Sequence, residues 1–466
     1  MPARTPVTTP AAKLVRRLID RVFPRGALLL SVLSFGYFAA GILRNRILAS
    51  EFGAGPELDA YNAAFRIPEI ALDILVASGL SAPFVPIFSR LLGLADARGR
   101  AEAEAFAQTV LTAAVSVMVV ALTALFIAAP WIADTVWKDF DQPTRELYVN
   151  LVRINCVAQV MFAASNTVGD VLVVHRRFLL YGLAPILYTS GIVLGAILLG
   201  PALGIYGAAI GAVAGATAHL AIRTIGGWRV GFRIRPRFAI RTPAFREFID
   251  LMLPRMVSYP IDPIVVSFMT VLAAGVGAGT ATALSFVLDY QFVPVQVIAI
   301  AFSLAVFPVL SRAYALGDAE TFRRTLVRNV ATIGGLTALA ALVLAVLARP
   351  LVATLLGGGK FGPEAVSLTS GLLLAFTISI PIDSLSYPLS RALYATHNTI
   401  WQVAASIAGL AVVVTASQLL VPAIGVAGIA LGYALGGLVK IAVLAVAVMR
   451  RIGRTGVLAG STSQAA

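Results

Sequence analysis

Apolar stretches of about twenty residues or more recur about twelve times along this chain, and that recurrence constrains the fold more than anything else. A helix needs roughly 20 apolar residues to cross a ~30 Å hydrocarbon core. The runs lie near 27–50, 58–80, 104–130, 146–171, 178–200, 203–224, 247–274, 280–308, 327–356, 364–392, 398–420 and 423–449. None shows the alternating pattern of a membrane-barrel strand. All are therefore expected as helices, which satisfy their own backbone hydrogen bonds in lipid. Charged residues make up only 12% of the chain and mean hydropathy is +0.89, too little polar surface for a water-soluble particle. The expected fold class is an all-α polytopic membrane protein.

The net charge of +14 is concentrated in short segments between the runs. The tail, Arg98/Arg100, Arg176/Arg177, Arg229 to Arg246, Arg312/Arg323/Arg324/Arg328, Arg391 and Arg450/Arg451/Arg454 fall on one side if every run crosses once. The alternate turns carry Glu51/Glu57, Asp134/Asp139/Asp141, Lys360/Glu364 or no charge. By the positive-inside rule both termini are expected in the cytoplasm, with the chain in a bacterial inner membrane. The basic N-terminal tail precedes a run too long and too charged for a cleaved signal, so a retained signal-anchor is expected. No nucleic-acid-binding motif accompanies the charge.

Two halves of the sequence resemble each other. Phe84-Val85-Pro86-Ile87-Phe88-Ser89-Arg90 matches Val306-Phe307-Pro308-Val309-Leu310-Ser311-Arg312, and His175 matches His397, both at an offset of 222. Pro201 to Gly207 matches Pro422 to Gly428 at 221, and Gly53-Ala54-Gly55 matches Gly277-Ala278-Gly279 at 224. An even number of helices per half inserts both in the same sense, giving two parallel six-helix repeats around a central cavity. The expected organisation is a basic tail (1–26), an N-terminal bundle (27–226), a basic linker (227–246), a C-terminal bundle (247–450) and a second tail (451–466).

Ionisable groups inside a span cost at least about 2.5–3.5 kcal/mol each on insertion scales, so each calls for a reason. Arg66, Glu69 and Asp73 are spaced i, i+3, i+7 and share one helix face, where Arg66 can pair with Glu69. Arg44 lies late in the first run at a depth similar to Arg66. Asp262 and Asp289 occupy the corresponding runs of the second half. Arg46, Arg153, Asp170, Arg255 and Asp383 are further candidates, open to snorkelling or interhelical pairing instead. Pro260-Ile261-Asp262-Pro263 brackets one acid between two backbone breaks, a candidate bend. The charges concentrate in runs one, two, seven and eight, where they would line a polar cavity.

Other chemistry is not encoded. The single Cys156 cannot form an intrachain disulfide, and His175, His219 and His397 are too scattered for a metal site. Neither a nucleophile set nor a GxxxxGK[ST] loop is present, so the protein is not expected to be an enzyme or to use ATP directly. No cofactor is expected; a monovalent cation or the membrane potential is the candidate energy source.

The segment Leu43-Arg44-Asn45-Arg46-Ile47-Leu48-Ala49-Ser50-Glu51-Phe52-Gly53-Ala54-Gly55, followed by Leu58-Asp59-Ala60-Tyr61 and Ala64-Phe65-Arg66-Ile67-Pro68, resembles the opening signature of MurJ/MviN-type lipid II flippases. Ser81 to Pro86, Val306 to Ser311 and Gly359-Lys360-Phe361 are similar to later family segments. The resemblance implies the multidrug/oligosaccharidyl-lipid/polysaccharide exporter fold and transfer of an undecaprenyl-diphosphate-linked sugar to the outer leaflet. It makes Arg44 a cavity arginine and Asp59 the acid opening the second helix. Elsewhere the chain departs: Tyr37-Phe38 stand for a serine–arginine pair, Leu72-Asp73 for two arginines, Ala77 for a glutamate and Asp289 for an arginine. An arginine-to-aspartate exchange reverses the attraction for a diphosphate.

Three functions stay open at this point. The first is a flippase for a lipid-linked cell-wall precursor working by alternating access, with lipid II or a related oligosaccharide and the membrane lipids as partners and the cell-wall synthesis machinery as a further one. Its substrate-binding residues would be Arg44, Asp59, Arg66, Glu69, Asp73, Asp262 and Asp289. The second is a cation-coupled multidrug antiporter of the same fold using Asp73, Asp262 and Asp289. The third is a non-transporting scaffold.

Overall fold

The computed structural model describes residues 25–77, 80–94, 97–258, 261–396 and 400–462. The N-terminal tail, Pro260 and His397, all singled out above, lie outside these residues, and so does the side chain of Arg255. The described residues form helices α1 (Arg25–Phe52), α2 (Pro56–Leu72), α3 (Ser81–Leu92), α4 (Ala97–Val136), α5 (Gln142–Val174), α6 (Phe178–Leu203), α7 (Ile205–Arg229) and α8 (Pro243–Ser258). They continue as α9 (Ile261–Val276), α10 (Thr280–Pro294), α11 (Ala301–Ala315), α12 (Ala319–Leu355), α13 (Pro363–Phe376), α14 (Ser379–Ala395), α15 (Ile400–Ile424) and α16 (Ala427–Thr462). Among the described residues there is no strand, as the absence of alternating runs implies.

Among the described residues, eight helical segments are long and apolar enough to span a membrane, or nine if α13 and α14, bent by 43°, form one broken span. Several of the twelve expected runs are not single straight helices. The run at 58–80 becomes α2, which ends in a wider π-helical turn over Asp73–Ala77. The run at 247–274 is shared between α8 and α9, each only 16 residues long. A second π-helical turn, Val295–Ile300, joins α10 to α11 without ending the span. Such turns leave the regular i→i−4 ladder and accompany bends.

By contact the chain forms two compact units whose borders cut across helices. The first comprises Met1–Arg44, Leu75–Thr123 and Ile154–Pro254. Within it α6 and α7 cross closely because glycines face each other; a Cβ on Gly195 would stand 2.5 Å from the Gly211 Cα. Such small-residue crossings replace the hydrophobic drive that lipid removes between helices. Phe84 stacks on Phe88 and Phe106, and Phe106 meets Phe248 edge-on, pinning α3, α4 and α8. Arg90 reinforces this with two hydrogen bonds to the Glu247 carboxylate, at 3.0 and 2.5 Å.

The second unit comprises Asn45–Ile74, Ala124–Arg153 and Arg255–Ala466. One core joins Leu310, Leu326, Leu389, Leu393 and Leu444, and another joins Val295, Ile333 and Ile380. Several turns expected on one membrane face gather at one end of this unit. The Lys360 amide donates to the Ser50 carbonyl at 2.8 Å. A Cβ on Gly279 would meet the Ala54 carbonyl oxygen at 2.5 Å, so the turn before α10 fits only glycine, which also has φ +81°.

Candidate functional site

The 59/62/66/69 face of α2, continued by Asp73 in the π-helical turn, is a polar surface of the second unit. Its first half lies along α10. Asp59 accepts hydrogen bonds from the Gly279 amide at 2.5 Å, the Thr282 amide at 2.7 Å and the Thr282 hydroxyl at 2.6 Å. Asn62 donates to Thr282 Oγ1 at 3.3 Å, and an Arg66 terminal nitrogen reaches Ser285 Oγ at 3.4 Å. Asn45, at the end of α1, donates to an Asp289 carboxylate oxygen at 2.9 Å. Residues far apart in the sequence are thus stitched into one seam.

The geometry corrects one expectation about Asp59. It is 1% exposed, with both carboxylate oxygens engaged by the start of α10. The first amides of any helix lack partners within it. The N-cap of α10 is Gly279, which has no side chain to serve them. Asp59 supplies that cap from another helix, with its negative charge at the positive end of the α10 dipole. Its part is structural.

Arg66 also differs from expectation. It reaches toward Ser285 rather than pairing with Glu69, and its Nε is buried without a hydrogen-bond partner. The fork of a guanidinium matches phosphate or carboxylate, and this one is half buried with its Nε unused. Glu69 and Asp73 are half buried further along the same face, Asp73 opening the π-helical turn. Asp289 is exposed at the α10 end of the seam. Arg44 is half buried in the first unit.

Asp262 belongs to a different cluster. Lys440 of α16 donates to its carboxylate at 3.1 Å, with side-chain exposures of 19% for the lysine and 74% for the acid. Tyr433 hydrogen-bonds Asp383, which lies within electrostatic reach of Lys440 and Asp262. Arg391 sits over the rings of Phe307 and Tyr394. Sequence reasoning missed Lys440. The available signal was a lysine about midway through an otherwise apolar run, a placement that demands a buried or half-buried counter-charge.

The first unit holds a third polar group, of which the sequence reading named Asp170 but missed Arg223. Arg223 donates to the Ser165 carbonyl at 3.1 Å and Asn166 Oδ1 at 2.8 Å, and lies 4.7 Å from the Tyr181 ring centroid. Asp170 is its acidic neighbour, and His219, one turn before Arg223, meets Ser165 Oγ at 2.7 Å. The i, i+4 spacing of His219 and Arg223 inside an apolar run was the clue. Both are almost fully buried and held by several neighbours, which suits bundle cohesion better than cargo contact.

Among the described residues no group of histidines, cysteines and carboxylates has the geometry for a metal ion. The three polar groups offer ion pairing and anion contact.

Comparison with known proteins follows the same line. A profile of the family described as Lipid II flippase MurJ matches residues 48–463. Among curated relatives, the lipid II flippase MurJ of Burkholderia cenocepacia is 24% identical over 404 residues, covering 85% of this chain and 78% of that protein. The probable lipid II flippase MurJ of Rhizobium meliloti is 26% identical over 420 residues, covering 86% and 76%. A lipid II flippase MurJ solved in an inward closed conformation superposes with a TM-score of 0.77 at 19% identity, covering 92% of this chain and 90% of that one. An inward-facing multidrug resistance MATE transporter of the MOP superfamily gives 0.73 at 15% identity, covering 95% and 98%. The chain is a multi-pass inner-membrane protein of the lipid II flippase MurJ family.

Proposed function

We propose that this protein moves a lipid-linked cell-wall precursor, an undecaprenyl-diphosphate glycan of the lipid II kind, across the cytoplasmic membrane by alternating access. The observation that carries the reading is the family match over residues 48–463, which takes in α2, the helix bearing Arg66. A diphosphate needs cationic partners shielded from hydrocarbon, and charge-assisted hydrogen bonds to arginine are worth roughly 1.5–3 kcal/mol each. Arg66 is the group of the second unit assigned to that task, with Glu69 and Asp73 shaping the face beside it, and Arg44 is the arginine of the first unit assigned to it. Both termini and the basic segments lie on the cytoplasmic side in this reading, which places the Asp59 seam near the outer surface. There it acts as the latch that must open for release.

The test is complementation of a strain depleted of its lipid II flippase. Wild type restores growth and Arg66→Ala fails to do so despite normal membrane levels. Failure of well-inserted wild type removes lipid II as cargo.

A second reading, a cation-coupled antiporter, is supported by the exposed carboxylates of Asp262 and Asp289. Efflux assays decide it: Asp289→Asn abolishing drug resistance supports the antiporter, and undiminished resistance excludes it.

A further inference from the structure

Residues 230–242, which join α7 to α8, form a strap held by its backbone. The Gln108 side chain donates to the Arg233 carbonyl at 3.0 Å. The amides of Arg237 and Ala239 donate to the hydroxyls of Thr112 at 3.0 Å and Thr109 at 3.3 Å. Amides two residues apart pointing the same way are the mark of extended chain. Phe232 is buried and anchors the start, after a turn at Gly231 with φ +85°. All these anchors lie within the first unit.

The anchoring residues mark a depth. Before them α4 carries Arg98, Arg100, Glu102 and Glu104; after them, from Val110 to Ala133, it has no charged residue. The strap therefore crosses α4 where the helix passes from water to hydrocarbon. There the strap and the last residue of α7 present Arg229, Arg233, Arg235, Arg237 and Arg241 with no acidic residue between them, and none of these five is buried. Interleaved with them, Trp228 (61% exposed), Phe238 (70%), Ile234 and Ile240 stand out from the protein. Since backbone groups do the anchoring, the arginine side chains are left to face outward.

We propose that this strap is a docking surface for anionic phospholipid headgroups, with the arginines on the phosphates and Trp228, Phe238 and Ile240 dipping into the acyl region beneath. Basic residues near an anionic leaflet attract it, and tryptophan is enriched at this depth in membrane proteins. Nucleic acid or an acidic protein would account for the arginines alone. The exposed aliphatic and aromatic side chains among them, at the polar–apolar transition of α4, fit a charged plane lying over hydrocarbon. The proposal is independent of the cargo.

The test uses the purified full-length chain in micelles containing equal phosphatidylglycerol and phosphatidylcholine, with retained lipids counted by native mass spectrometry. Wild type should retain phosphatidylglycerol preferentially. Each arginine removed should weaken retention about fivefold, so the combined Arg233→Gln, Arg235→Gln and Arg237→Gln variant should lose the preference. Its thermal melting should stay unchanged, because the strap is held by backbone contacts. Arg450→Gln with Arg451→Gln and Arg454→Gln, which removes the same three charges, serves as the control for total charge and should keep the preference. A triple variant with the wild-type lipid ratio overturns the proposal, and so does a control that loses the preference equally.

Discussion

Asp59 makes the most exposed claim of the structure, because one carboxylate is given the whole task of capping α10. Replacing it with alanine strands the Gly279 amide, the Thr282 amide and the Thr282 hydroxyl in a buried place. Each unsatisfied buried donor costs about 1–3 kcal/mol. The three share one acceptor and are not independent, so the seam should lose about 3–5 kcal/mol rather than the full total. Asparagine keeps the shape and one acceptor but loses the charge, for a loss of about 1.5–3 kcal/mol. By contrast Ser285→Ala should be nearly silent, since the Arg66 contact it removes is already 3.4 Å long. Hydrogen exchange of a peptide covering 277–285 reads this directly. A 3 kcal/mol change corresponds to about a 150-fold loss of protection. Asp59→Ala should approach or exceed that value, Asp59→Asn should fall at or below it, and Ser285→Ala should match wild type. Unchanged protection in Asp59→Ala would refute the capping argument, and equal losses in all three would show that the seam opens for some other reason.

Three further outcomes follow from the other polar groups. Arg223→Ala removes a nearly fully buried guanidinium from Ser165, Asn166 and Asp170, so heat-induced aggregation in detergent should report a loss of about 3–5 kcal/mol. A double-mutant cycle between Lys440→Ala and Asp262→Asn should give a coupling below about 1 kcal/mol, because the Asp262 side chain is 74% exposed to solvent screening; a coupling of several kcal/mol would contradict that placement. Asp318 caps α12 by accepting from the Thr321 amide at 2.9 Å, and the Thr321 bonds hold its carboxyl below the usual 3.8. A depressed folded value stabilises above the unfolded value and is lost as pH falls through the folded one. Exchange at the first turn of α12 should therefore quicken below about pH 4 in wild type and be pH-insensitive in Asp318→Ala once intrinsic exchange is subtracted.

Much of the fold was legible because apolar runs and loop charges report directly on solvent. The helical class, the gathering of Gly53–Gly55 with the turns before α10 and α13, and the Arg66/Glu69/Asp73 face all follow from periodicity and charge. What periodicity could not supply was partner choice. Asp59 reads as a carboxylate near a helix start, and only three dimensions show that the helix it caps is α10, some 220 residues away. Lys440 and Arg223 were hidden for the same reason. A single charge in an apolar run announces a counter-charge without saying which, and here the answers are Asp262 on α9 and Asp170 on α5. The π-helical turns were hidden differently, since wide turns depend on packing and carry no residue signature of their own.

The two π-helical turns make that last point sharper. They begin at Asp73 and Val295, an offset of 222 that equals the spacing of the Pro86 and Pro308 motifs. Duplicated sequence has thus kept a duplicated irregularity. Proline does not explain the pair, because Pro294 precedes the second turn while Leu72 holds the equivalent place in the first. What the turns share is position in the repeat, so the irregularity belongs to the repeat's packing and not to a local breaker. Their surroundings then diverge: the second continues into one long span, whereas the first ends α2 and begins with an ionisable Asp73. The repeat places the wide turn twice, and only the first carries a charge.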